Sequence, residues 1–163
     1  MTLVLGCDPG LSGALALLDE EASLLELAYM PTLIVTKSRR QIDASALVDT
    51  FEDWRAMRGE FRVVIEQAST RPMQHAAAGL KTGIGFGIIL GILAAQKIPH
   101  EIVSPRKWQA AVLGKIEPGT SKDRSRAHAQ QLYPHANLGK RKTEDRSDAL
   151  CIALYGFERW RSL

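Results

Sequence analysis

Apolar positions follow two rhythms along the chain. Leu3-Val4-Leu5-Gly6-Cys7 and Phe61-Arg62-Val63-Val64-Ile65 are short, nearly continuous apolar runs, the pattern of strands buried on both sheet faces. The first strand is expected over 1–7 and stops at Asp8; the second stops at Glu66. Residues 13–19 and 23–30 read as two more strands, parted by Glu20 and Glu21, so that the N-terminal part forms a three-stranded meander. Residues 36–41 read as a basic loop. Asp43 is placed to cap a helix whose Leu47, Phe51 and Trp54 share one face before Gly59. A fifth strand is expected over 100–103, a polar helix over 122–132 and a closing helix over 144–160. A block of strands followed by strands alternating with helices predicts an α/β fold, a mixed five-stranded sheet flanked by helices. With no linker or low-complexity tract, residues 1–163 read as a single domain.

The helix expected over 79–96 carries glycines at 79, 83, 87 and 91. Four apart, they form one smooth stripe, and each costs about 1 kcal/mol of helix stability relative to alanine. Something is therefore expected to approach that backbone closely: the sheet, another helix or a second subunit. Lys81 and Lys97 bracket too short an apolar stretch for a bilayer, no run reaches about 18–20 apolar residues, and the start lacks the order of a signal peptide. The expectation is a soluble cytoplasmic protein with no membrane partner. Cys7 and Cys151 have no zinc-ligand spacing and lie in apolar runs, as small buried thiols do.

Charge is uneven. Residues 1–99 carry nine Lys and Arg against eleven Asp and Glu, and residues 100–163 carry twelve against seven. Acids set within a basic half suit a polyanionic substrate whose phosphates must approach carboxylates. Asp8 and Glu66 close two strands, while Asp145 and Asp148 are three apart at the start of a helix-periodic segment and share one face. Two strand ends and one helix face can converge on a pair of hard divalent cations. Glu144, four from Asp148, is the rival to Asp145. The four histidines lack mutual ligand spacing, and Trp54 and Trp108 read as packing residues.

Three blocks in order, Gly6-Cys7-Asp8-Pro9-Gly10-Leu11-Ser12-Gly13, Ile65-Glu66-Gln67 and Asp145-Arg146-Ser147-Asp148-Ala149-Leu150, resemble the signatures of RuvC-type Holliday junction resolvases, and Val112-Leu113-Gly114 with Ser121-Lys122-Asp123-Arg124 continue the likeness. The short length and the Leu-Ser-Gly-Ala continuation after Asp8-Pro9-Gly10 are similar to phage members. The resemblance implies an RNase H-like fold and an enzyme cutting four-way DNA junctions by paired symmetric nicks in recombination, repair or phage DNA processing. It implies Asp8, Glu66, Asp145 and Asp148 as ligands of two Mg2+ ions per site, with Mn2+ able to substitute, and Lys122 as a contact to the substrate phosphate. A second family lysine falls among Arg106, Lys107 and Gln109. Arg39, Arg40, Arg71, Lys107, Lys122 and Arg124 are the expected DNA contacts.

The chain departs from the family where cellular members carry an aromatic after the Glu-Gln pair. It reads Ala68-Ser69-Thr70-Arg71, leaving Arg71, Met73 or His75 as substitutes. A two-fold DNA junction implies a homodimer, with the glycine-striped helix as candidate interface. Two further classes stay open: an RNase H-fold nuclease acting on RNA or an RNA-DNA hybrid, and an ATPase using Asp8-Pro9-Gly10 as a phosphate turn. That second fold needs two lobes, where this chain has room for one.

Overall fold

A computed structural model of the chain describes residues 3–37, 39–68, 76–114, 121–139 and 146–161. The elements run β1 (Leu3–Cys7), β2 (Ala14–Leu18), β3 (Leu24–Tyr29), β4 (Thr32–Thr36), β5 (Arg39–Ile42), α1 (Ala44–Arg58), β6 (Phe61–Glu66), α2 (Ala76–Ala95), β7 (His100–Val103), α3 (Pro105–Leu113), α4 (Ser121–Leu132) and α5 (Ser147–Arg161). The main sheet has the order β3-β2-β1-β6-β7. β1 is central, antiparallel to β2 and parallel to β6. This is the mixed five-stranded sheet expected, with helices on both faces.

Alternation along the strands builds two different cores. Leu5, Cys7, Leu15, Leu17, Val63 and Ile65 point to the side covered by Phe51 and Trp54 of α1 and Ile89 and Leu93 of α2. On the other face Ala14 and Ala16 meet Ala149 and Ala153 of α5, and Val64 meets Ile152 and the fully buried Trp108. Small residues dominate under α5, so the helix backbone comes very near the sheet. A Cβ added to Gly6 would lie 2.2 Å from the Ala149 carbonyl oxygen and 2.4 Å from the Ala153 nitrogen. From the other side, one added to Gly156 would meet Val64 and Val4 at 2.6 and 2.9 Å.

α1 forms as its sequence dictates: the Asp43 side chain accepts a hydrogen bond from the Ala46 amide at 3.0 Å, and the chain leaves at Gly59 with φ 106°. The expected basic loop is corrected. β4 and β5 pair antiparallel, Ile34 facing Arg40, because Leu33-Ile34-Val35 is a β-prone run that Arg39–Ile42 can pair with. α3 was not anticipated, although Ser104 before Pro105 is an ordinary helix start. Residues 144 and 145, where the closing helix was expected to begin, lie outside the described residues.

α2 narrows one expectation and corrects another. Gly83, Gly87 and Gly91 have nothing within 4 Å of an added Cβ, so no part of the described chain approaches the stripe; Gly85 is the glycine that packs, against Ile42 at 3.4 Å. The segment Ala77–Ala95 is also long and apolar enough to cross a membrane by length and composition, with 17% of it buried. Lys81 does not shorten it, because a lysine near a helix end can extend its charge outward along an apolar stem.

The α5 contact yields a stability prediction. Gly6→Ala forces a methyl against backbone that cannot rotate away, so urea unfolding should show a loss of about 1–3 kcal/mol or more. An unchanged midpoint would mean that α5 is free to lift from β1.

Candidate active site

The register of β1 against β6 places Cys7 opposite Ile65, so Asp8 and Glu66 leave the C-terminal ends of neighbouring parallel strands, about 4.8 Å apart in the sheet. Asp8 is held by its own turn. Its amide donates to Ala14 O at 3.0 Å, its Oδ1 accepts from the Gly10 amide at 3.2 Å, and the Gly13 amide donates to Gly10 O at 2.9 Å. A Cβ on Gly13 would sit 2.1 Å from Asp8 O, which is why the turn requires glycine there.

Glu66 is oriented from the opposite side. The Trp108 indole Nε1–H donates to Glu66 Oε2 at 2.6 Å, from a side chain with no exposed surface. Beyond it, the Gln67 amide donates to Val103 O at 2.7 Å and prolongs the β6–β7 pairing. Both acids line one cleft of about 240 Å³ with Pro9, Gly10 and, from α2, Lys81 and Thr82. Their nearness is felt at Cys7: burial pushes its thiol well up, and the charges of Asp8 and then Glu66 push it further.

Asp148 stands half-buried in the first turn of α5, where the helix dipole favours a carboxylate, next to the Ala149 carbonyl that rests on Gly6. It does not line the Asp8–Glu66 cleft. Among the described residues no three His, Cys, Asp or Glu side chains gather closely enough to hold a metal ion. Asp148 sits at the end of α5 that lies on β1 beside Gly6, and its joining of Asp8 and Glu66 in one metal site stays an expectation from the sequence. Asp145 and its rival Glu144 lie outside the described residues, as do Arg71, Met73 and His75.

The expected DNA contacts separate. Arg39 and Arg40 line a small groove beside the cleft, sharing Leu11, Lys81 and Gly85 with it. Lys107 lies on α3, 3.9 Å from the Glu101 carboxylate and 6.0 Å above the Tyr155 ring, and is not in the cleft wall. Arg124 donates to Leu113 O and so ties α4 to the end of α3. Lys122 is in the first turn of α4, its side chain outside the described set. Trp160 packs under Arg62 at 4.5 Å.

Four residues escaped sequence reasoning. Trp108 is a packing residue, as expected, but also the donor to Glu66. Lys81 and Thr82 face the acids, and the available signal was a lone cation in an otherwise apolar, glycine-rich helix. Arg146, between the two C-terminal acids, is 8% exposed and stacks over Tyr29 at 4.2 Å, binding the start of α5 to β3.

No family model matches the chain, and no curated protein matches it in sequence. Solved structures do. RuvC of Thermus thermophilus in complex with Holliday junction substrate superposes with a TM-score of 0.65 at 19% identity, over 99% of this chain and 96% of that one. Another structure of Thermus thermophilus RuvC gives 0.62 at 20% identity, over 99% and 97%. The yeast mitochondrial Holliday junction resolvase gives 0.51 at 15% identity, over 99% and 79%. The fold is that of RuvC-type resolvases, an RNase H-like α/β sheet.

The Trp108–Glu66 contact is testable as a pair. In a double-mutant cycle of Trp108→Phe and Glu66→Gln read by urea unfolding, the coupling should be about 1–3 kcal/mol, the range of a charge-assisted bond. Additive effects would show that the indole does not hold the carboxylate.

Proposed function

We propose that this chain is a divalent-metal-dependent, structure-selective DNA endonuclease that resolves four-way junctions by paired symmetric nicks. The observation that carries the reading is the pair Asp8 and Glu66, fixed side by side with Lys81 in one cleft, on a fold whose solved examples are Holliday junction resolvases. One of those examples has a Holliday junction bound.

The donor set fits hard cations. Asp8 and Glu66 offer carboxylate oxygens at neighbouring strand ends, their joint negative field reaches Cys7, and Asp148 adds a third acid beside the end of β1. With Asp145 these residues would hold two Mg2+ ions, or Mn2+ in their place. When bound, such ions supply charge neutralisation on the phosphoryl oxygens and on the departing 3′ oxygen. The protein's own part is positional. The Asp8 turn and the Trp108 hydrogen bond hold two carboxylates against rotation before substrate arrives. Lys81 places a positive charge opposite them, where a phosphate oxygen can be gripped. Lys122 is assigned a second phosphate contact.

A four-way junction has two-fold symmetry, so we assign the protein as a homodimer presenting two copies of the site. The open stripe on α2 supports this: among the described residues nothing lies within 4 Å of a Cβ added at Gly83, Gly87 or Gly91, and Leu80 and Ile84 beside them are 65% and 47% exposed. An apolar helix face of this kind needs a cover.

Asp8→Asn and Glu66→Gln should each reduce junction cleavage to background while gel shifts on the same preparations show retained binding, since affinity comes mainly from cations. EDTA should stop wild-type cutting and added Mg2+ restore it. Full cleavage by both variants would overturn the metal-site assignment, and preferential cutting of an RNA-DNA hybrid would move the chain to the other RNase H-fold class.

Wild-type protein should sediment as a dimer, and Gly87→Lys, whose added Cβ has no atom of the described residues within 4 Å, as a folded monomer. Monomers in both, with the wild type floating on lipid vesicles, would give α2 to a bilayer instead.

A further inference from the structure

The cleft of Asp8 and Glu66 does not end at Lys81. It continues into the groove lined by Leu11, Arg39, Arg40, Ile42 and Ile84, and none of the described residues lining that groove is acidic. Leu11, Lys81 and Gly85 belong to both, so Lys81 stands at the junction of a trough with carboxylates at one end and two guanidinium groups at the other.

The β4–β5 hairpin forms the outer wall. Directly opposite residues of an antiparallel pair, and residues two apart, share a face. Thr32, Ile34, Arg40 and Ile42 therefore lie on one face of the hairpin. At its base Ile42 is 1% exposed and packs on Gly85 of α2. Arg40, next along, donates to Thr32 Oγ1, which steadies its guanidinium over the face. At its outer end Ile34 is 75% exposed, the highest of the large apolar side chains left in solvent. Neighbouring Lys37 is exposed too. An isoleucine thrust into water between cations suits a ligand that is anionic along its backbone and flat and apolar within. Nucleic acid has that combination, and apolar wedges set among basic side chains unstack base steps in this way.

We infer that one DNA strand leaves the cleft across Lys81, runs along the trough to Arg40, and meets Ile34 as a wedge that unstacks a base beyond the scissile phosphate. The inference deepens the nuclease reading and rests on it. It gives this chain a base-contacting residue on an element other than the segment after Glu66, whose sequence lacks the aromatic.

The test uses four-way junctions carrying 2-aminopurine at successive positions from the cut site, bound at saturation by the full-length dimer with Ca2+ in place of Mg2+. Wild type should raise the fluorescence at one position in each of two arms. Ile34→Ser, at an exposed site that does not threaten folding, should lose most of that rise while keeping the wild-type salt dependence of binding. Lys81→Gln and Arg40→Gln should each flatten that dependence by about one unit. An Ile34→Ser complex with the full rise, or an unchanged slope for Lys81→Gln, would overturn the path and leave the nuclease reading standing. Wild type that binds branched DNA no better than linear duplex would overturn that reading and the path with it. Should Ile34→Ser sediment as a lighter species with its rise intact, the hairpin belongs to the subunit contact and the inference fails.

Discussion

The place of Asp148 beside β1 depends on how closely α5 lies on that strand. Gly6 lets the helix backbone come within a distance that any side chain would prevent, and Gly156 repeats the device nearer the helix end, against Val4 and Val64. Ala14 and Ala16 of the neighbouring strand extend the low surface, facing Ala149 and Ala153. A large residue at any of these points would raise the helix and carry Asp148 away from the strand end that presents Asp8. Close packing of this sort has no slack, because interiors are filled to crystal-like density. It therefore acts as a ruler, converting small residues in the sheet into a fixed position for a carboxylate on a helix.

The opposite face is built to another rule. Large side chains, Phe51, Trp54, Ile89 and Leu93, keep α1 and α2 at ordinary distance and leave space at the strand ends for a cleft. Negative charge collects there, and the charges of Asp8 and Glu66 add to the burial that already pushes the Cys7 thiol up. Lys81 and the hairpin arginines balance that field from the side on which a polyanion would arrive. A substrate thus meets cations before carboxylates, which is the order electrostatic steering requires.

Much of this was legible in the residues, and the failures have physical reasons. The strands ending at Asp8 and Glu66, the Asp43 cap and the five-stranded sheet follow from local pattern, since buried runs and capping boxes act over a few residues. The hairpin was missed because Lys37, Arg39 and Arg40 mark a loop by composition, while the pairing that makes it a hairpin is set by register with Leu33 and Ile34. Trp108 gave no sign of its second role: an indole donor acquires its partner only through the β6–β7–α3 geometry, 42 residues away in sequence. The glycine stripe announced a close approach without saying to what, and the close approaches within the chain turned out to be at Gly6, Gly13 and Gly156. Asp145 remains a sequence expectation, and Asp148 is placed near the strand end but outside the cleft wall.

The indole on Glu66 also turns the site into its own reporter. Trp108 has no exposed surface, so water does not broaden or quench its emission, and its N–H points at a carboxylate 2.6 Å away. An excited indole shifts electron density from its pyrrole ring toward its benzene ring, and the energy of that shift depends on charge near the nitrogen. Neutralising Glu66, by a proton or by a cation drawn into the cleft, changes that charge. The colour of one buried tryptophan therefore encodes the charge state of the acid it holds, without a label and without turnover.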